Sequence, residues 1–355
     1  MRFTALDDAT VVQRLRSAGI RICGMTGMSE FGLGLTGSSA GRVVETKHAD
    51  VELVLDLMGE SRVAAVRVGA CGFKPSYGLV SRYGVIGLIP SMEAVGLLAR
   101  QPRSIRTVLG CVAGADERDF SMPEEPVPGF DEEWTVPAGT RVGVIREACS
   151  GLTPEQLTGF QQGIEELRAA GCAVSEVSLP DYPLFSLVHK IVGSVEAASS
   201  TGRYDSVRYG PRAPGAKNWN EMYLGSRGAM FGTLVKSYLF QGAYFQFENY
   251  AAYEDACRIR ARLLGQTQRL MQEADYLVLP CPPRGGAEEK SALEAVYAAF
   301  AETLWANVTG QPVLALPLPG SAGAVGGIQL MGPRLSDARL LALGEMVLDR
   351  RKGDR

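Results

Sequence analysis

Histidine is scarce in this chain, and that narrows the available chemistry at once. The 355 residues hold two, His48 and His189. No His-x-x-x-His pair exists, which excludes a helical zinc site, and we assign no metal. A Ser-His-Asp arrangement would have to rest on one of these two, and neither stands in a nucleophile elbow. Seven cysteines run from Cys23 to Cys281 without a Cys-x-x-Cys. An odd, dispersed set reads as reduced thiols buried for structural reasons, not as a disulfide framework. Gly143 sits in a strand-to-helix unit that lacks Gly-x-Gly-x-x-Gly, which argues against a dinucleotide site. There is no phosphate loop, and no cofactor is expected. Glu132, Glu133, Glu288 and Glu289 form acidic runs on solvated loops rather than a glycosidase pair. His48, beside Lys47, reads as part of a solvated turn.

The composition is that of an ordinary globular protein, 46% hydrophobic and 21% charged, with a net charge of -3. The length suffices for one large core or two medium ones. Near-neutral charge argues against a broad nucleic-acid groove, so contact with nucleic acid is expected only indirectly. The acidic start, Met1 to Asp8, has no apolar core of a signal peptide. No apolar run is long enough to span a bilayer. A cytoplasmic chain without membrane contact is the expectation.

The positioning elements can be read in outline. Asp7 and Asp8 offer caps to a first helix with Val11, Val12 and Leu15 on its apolar stripe, closed by Gly19. Ile20 to Cys23 reads as a short strand, and residues 50–58 as apolar with a helical tendency. Prolines 123, 126, 128 and 137 among acidic residues make 115–139 the clearest linker. It separates a segment 1–114 from a segment 140–355. A strand-helix-strand unit follows. Arg141–Ile145 is the first strand, Thr153, Pro154 and Gln156 cap a helix lined by Leu157, Phe160, Ile164 and Leu167, and Ala173–Val177 is the second strand. Such a unit implies a parallel pair with a right-handed crossover. Residues 228–275 read as one or two long helices rich in aromatics that pack in a core. Tyr276–Pro280 and Pro312–Pro317 read as buried strands, and a last helix starts at Ser336. There is no internal repeat. The fold class is α/β, with one mixed sheet wrapped in helices.

Several ordered segments resemble the amidase-signature enzymes, and most of all the A-type subunit of glutamyl-tRNA(Gln) amidotransferase. Gly72–Gly84 resembles the segment after that family's catalytic serine. Met28–Gly32 resembles its Met-Asp-Glu-Phe segment, and Tyr204–Gly210 matches the A-type pattern nearly letter for letter. Asn307–Pro312 resembles Asn-Leu-Ala-Gly-Leu-Pro, and Gly327–Gly332 resembles Gly-Leu-Gln-Ile-Ile-Gly. The resemblance covers most of the chain. It implies a single amidase-signature-type domain over residues 1–355, lacking the family's N-terminal portion.

What the resemblance implies for chemistry is a Ser-Ser-Lys triad that cleaves amides, with backbone N–H groups before the nucleophile stabilising the oxyanion. The family's lysine precedes the helix that here begins near Asp8, so we expect no such lysine in this chain. Ser38, in Gly37-Ser38-Ser39-Ala40-Gly41, matches the relay serine. Counted back without gaps from Lys74, the family's Asp-Thr-Gly-Gly-Ser-Ile-Arg falls on Asp56-Leu57-Met58-Gly59-Glu60-Ser61-Arg62. Glu60 then holds the nucleophile position. A one-residue gap would place Ser61 there instead. The family's glutamine pocket has an arginine and an aspartate. Their places here fall in Lys236-Ser237-Tyr238-Leu239 and at Phe300, and neither serine nor tyrosine replaces a bidentate arginine. Gly59, Tyr238 and Phe300 are thus degenerate pocket positions.

Three readings follow. One is an amidase homologue, impaired in catalysis, that acts by binding an active paralogue or a subunit-B-like protein. It expects Glu60 exposed in a collapsed pocket, with Tyr238 and Phe300 occluding the glutamine site. The second is an active amide hydrolase or amidotransferase component, releasing ammonia from glutamine. It would use Ser61 or Ser38 with a lysine from another chain, or with Lys47 or Lys74. The third is a truncated product without a function of its own.

Overall fold

Aliphatic and β-branched runs become the strands of one sheet, and the amphipathic runs between them become its helical cover. The computed structural model describes residues 7–132, 134–207, 209–283, 293–319 and 326–353. The first six residues, Glu133, Arg208, Glu288 and Glu289 lie outside that set. The described strands are β1 (Val51–Asp56), β2 (Cys71–Lys74), β3 (Ala94–Ala99), β4 (Arg141–Ile145), β5 (Ala173–Val177), β6 (Tyr276–Cys281), β7 (Val313–Pro317) and β8 (Gly327–Met331). They lie in the order β1-β3-β2-β7-β8-β6-β4-β5. Only β4 with β5 and β4 with β6 pair in parallel. β2, β3, β6 and β8 are buried along their whole length and β7 at all but its last residue, as a sheet covered on both faces requires.

Twelve described helices cover it. They are α1 (Thr10–Ser17), α2 (Arg42–Glu45), α3 (Glu60–Arg67), α4 (Pro102–Val112), α5 (Pro154–Ala169), α6 (Leu184–Ser200), α7 (Trp219–Met230), α8 (Thr233–Phe247), α9 (Tyr250–Glu273), α10 (Leu293–Ala299), α11 (Leu304–Thr309) and α12 (Asp337–Gly353). One core lies between the sheet and α6, α8, α9, α10 and α11. The other lies on the opposite face, under α1, α4, α5 and α12.

The strand-helix-strand unit is as expected. Thr153 Oγ1 accepts from the Gln156 N–H, and the Gln156 side chain accepts from the Thr153 N–H. Leu157 departs from the stripe and is exposed, because it lies in the first turn, outside the core that Phe160, Ile164 and Leu167 enter. Residues 50–58 are a correction. They form β1, not a helix, since Val51–Asp56 pairs residue by residue with Ala99–Ala94. Pairing across a sheet overrides weak local preference. Ile20–Cys23 is no strand; the segment is irregular and Cys23 is exposed. Of the other cysteines, Cys71, Cys172 and Cys281 are buried and three are half-buried. The cap of α1 is Ala9, without a side-chain bond. Asp8 pairs with Arg16 instead, and its carbonyl accepts from Gln13 Nε2. The aromatic helices exist as α8 and α9. Phe231 and Tyr238 are buried as expected, whereas Phe240 and Phe247 are 74% and 75% exposed.

Candidate functional site

The site is built where β1 hands over to α3. β1 ends at Asp56, the chain turns through Leu57, Met58 and Gly59, and α3 starts at Glu60. Gly59 has φ +126°, a backbone conformation that suits glycine. A Cβ there would also collide with the Thr303 side chain. That threonine is the residue before α11, and its hydroxyl donates to the Met58 carbonyl. The turn is thereby pinned to a second element.

Glu60 folds back over its own turn. Its Oε2 accepts from the N–H groups of Leu57 and Met58 at 2.7 Å and Gly59 at 3.1 Å. Its Oε1 accepts from the Gly34 N–H at 3.0 Å. The residue is 2% exposed, which corrects the expectation of an exposed glutamate. Those four donors are what make burial of a carboxyl tolerable. Burial, and then the nearby Asp56 charge, push its pKa up to about 8 despite the donors.

Behind the turn lies a fully buried ionic network. Arg62 Nη2 pairs with Asp56 Oδ1 at 3.2 Å and donates to Asn307 Oδ1 at 2.6 Å. Its Nη1 donates to the Thr303 carbonyl and to Gln329 Oε1. Asn307 Nδ2 returns a bond to Asp56 Oδ1 at 2.9 Å. Burial alone would raise Asp56, but Arg62, the Ser61 hydroxyl and Asn307 outweigh it and hold the carboxyl below its usual range. Ser61 spends its hydroxyl on Asp56 Oδ2 and its N–H on the same oxygen. Lys74 Nζ donates to the Pro75 carbonyl at 2.8 Å. Burial, and then Arg62, push that amine down to about 7, against Asp56 and Asp337.

A chain of buried polar rings flanks the turn on its other side. His189 Nε2 lies 2.9 Å from the Leu57 carbonyl, and Nδ1 lies 2.8 Å from the Tyr297 hydroxyl. A carbonyl only accepts, so Nε2 carries the proton and Nδ1 receives one from Tyr297. Tyr297 Oη lies 3.1 Å from Tyr238 Oη. Burial pushes the imidazole down to about 4. Tyr238 and Phe300 are both buried in the same core.

The structure brings Gly59, Glu60, Ser61, Tyr238 and Phe300 into one region, and it leaves Ser38 apart from their bonds. Ser38 Oγ donates to the Gly27 carbonyl and accepts from the Ala40 N–H, both at 3.1 Å. Lys47 is exposed, with φ +61°. His48 is exposed, as expected, and contacts Thr46 Oγ1. Three positioning residues were missed in the sequence: Gly34, Thr303 and His189. Only His189 had a signal, as a lone histidine within the apolar run of α6. Two cavities, of about 250 Å³ beside Arg100 and Arg351 and about 10 Å³ beside Gly78, lie elsewhere. No group of three or more metal-ligating side chains occurs among the described residues. No helix among them is long and apolar enough to cross a membrane.

This sheet order, with a signature loop passing from strand to helix under a buried Asp-Arg-Asn network, defines an amidase-type α/β domain. The model of the Amidase family matches residues 59–341, and the chain belongs to that family. It is 33% identical to the A-type subunit of the glutamyl-tRNA(Gln) amidotransferase of Natronomonas pharaonis, over 95% of this chain and 87% of that one. The same subunit from Deinococcus radiodurans is also 33% identical, over 94% and 76%. The crystal structure of the Thermotoga maritima counterpart superposes with a TM-score of 0.80 at 21% identity, covering 98% of this chain and 77% of that one. That last likeness concerns the fold.

Proposed function

We propose that this chain is an amidase-family homologue whose site holds the fold together rather than cleaving amides, and that it acts by binding a protein partner. The observation that carries the reading is Glu60. In the ungapped register it stands at the nucleophile position, buried, with its carboxyl group bonded to the backbone N–H groups that would receive an oxyanion. A carboxyl group there is neither a seryl nucleophile nor an open hole. Ser61, the nearest hydroxyl in sequence, is engaged by Asp56. Tyr238 and Phe300 fill with aromatic bulk the places where a charged substrate end would be held.

The partner is a second protein of the same assembly, an active paralogue or a subunit-B-like protein. The relatives are named as subunits of an amidotransferase, and α8 offers exposed Phe240, Tyr244 and Phe247 at helical spacing. The test is ammonia release from glutamine and from simple amides, with the chain alone and with a subunit-B-like protein added. We expect release no faster than buffer in both cases. Turnover that Ser61→Ala or Ser38→Ala abolishes would establish the hydrolase reading instead.

A further inference from the structure

Four backbone N–H groups from two separate stretches of chain converge on one carboxyl group, that of Glu60. Leu57, Met58 and Gly59 supply three donors, and Gly34 supplies the fourth from the far side. A concave set of such donors is an anion nest. Its shape is set by bonds that do not involve Glu60. His189 Nε2 holds the Leu57 carbonyl, Thr303 holds the Met58 carbonyl, and Ser29 Oγ holds the Gly34 carbonyl at 2.7 Å. Gly59 adds its own conformational requirement. The donors therefore remain aimed when the side chain they serve is taken away.

We propose that Glu60 is the internal ligand of a carboxylate-binding nest, an autoinhibitory contact that keeps this nest closed to any external anion. The inference deepens the proposed function at the same site. It goes further in assigning the nest a ligand class, small monocarboxylates, and in making Glu60 a removable plug rather than a structural necessity. Cutting the side chain back to its Cβ frees space matched in size and donor count by formate or acetate. Unfilled, the same four N–H groups would be buried without acceptors, which is costly.

The experiment compares the full-length wild type with Glu60→Ala by thermal melting in sodium formate and in sodium chloride at equal ionic strength. Glu60→Ala should melt roughly 4 °C lower than the wild type. Formate should restore that loss saturably while chloride does not, and the wild type should respond alike to both salts. A folded Glu60→Ala that responds alike to both salts overturns the proposal. A Glu60→Ala that does not fold even in formate also overturns the proposal, and Glu60→Gln gives a second test through amide hydrogen exchange. The amide side chain keeps the volume but turns an NH2 group toward one side of the nest. Exchange at Gly34 should then be at least about tenfold faster than in the wild type. Unchanged exchange at Gly34 overturns the proposal. Amide turnover by the wild type would fail the functional reading, whereas absent rescue fails only this inference.

Discussion

The side chain on which the proposed reading turns is Glu60, a glutamate at the start of α3 that is 2% exposed. Its burial has a consequence in pH. Glu60 takes up its proton near pH 8 in the folded chain, against an ordinary value of 4.5. Between those values the folded state holds the proton and the unfolded state does not. The stability this group contributes is complete below pH 4.5 and is lost as pH rises through 8. The difference in denaturation midpoint between wild type and Glu60→Gln should therefore change across pH 5 to 8 and stay level above 8. A constant difference would contradict the assignment. His189 acts in the opposite sense. Its imidazole protonates near pH 4 when folded and 6.5 ordinarily, so stability is lost as pH falls from 6.5 through 4. The full loss is on the order of 3 kcal/mol. In His189→Asn the acid limb of the denaturation profile should flatten, which urea titrations at pH 4 to 7 would check. The sequence marked Glu60 for attention, because the ungapped register through Asp56, Gly59 and Arg62 falls on it while a one-residue gap falls on Ser61. Its burial was not legible there, because it depends on a donor from Gly34, which is far away in the chain.

At the scale of elements, the β1–α3 turn is held by partners distant in sequence. Arg62 leaves α3 to meet Asp56 from β1, Asn307 from α11 and Gln329 from β8, all buried. Removing one partner from a buried ion pair leaves the other uncompensated. Arg62→Leu should cost about 3 to 5 kcal/mol in chemical denaturation. Asp56→Asn with Arg62→Leu together should cost less than the sum of the two single changes, since both report one network. Full additivity would mean that the pair does not hold the turn. Elements with strong local signals were readable: the capped helix α5, the flanking strands β4 and β5, and the aromatic α8 and α9. β1 was misread as helical because its apolar run lacks clear alternation, and only its pairing with β3 fixes the conformation. The first turn of α1 was misread because Asp8 is drawn to Arg16 rather than to the helix N-terminus.

At the scale of the whole molecule, the eight-stranded sheet with a core on each face is the frame of a chain that belongs to the Amidase family. Under the proposed reading, the positions that would act on substrate carry different chemistry: the Glu60 carboxyl group in the nest, a Ser61 engaged by Asp56, and buried aromatic side chains at Tyr238 and Phe300. Phe300 and Tyr238 were singled out from the sequence as pocket positions, and both are buried. That they pack into one core with Tyr297 and His189 is a property of the assembled helices α6, α8 and α10. The measurement that bears most directly on the account is the intact mass of the folded chain after incubation with a serine-directed fluorophosphonate, with Ser61→Ala and Ser38→Ala beside it. The account predicts no adduct, since no hydroxyl at this site is activated. A single adduct on the wild type that disappears in Ser61→Ala would contradict it and return the chain to the working amidases.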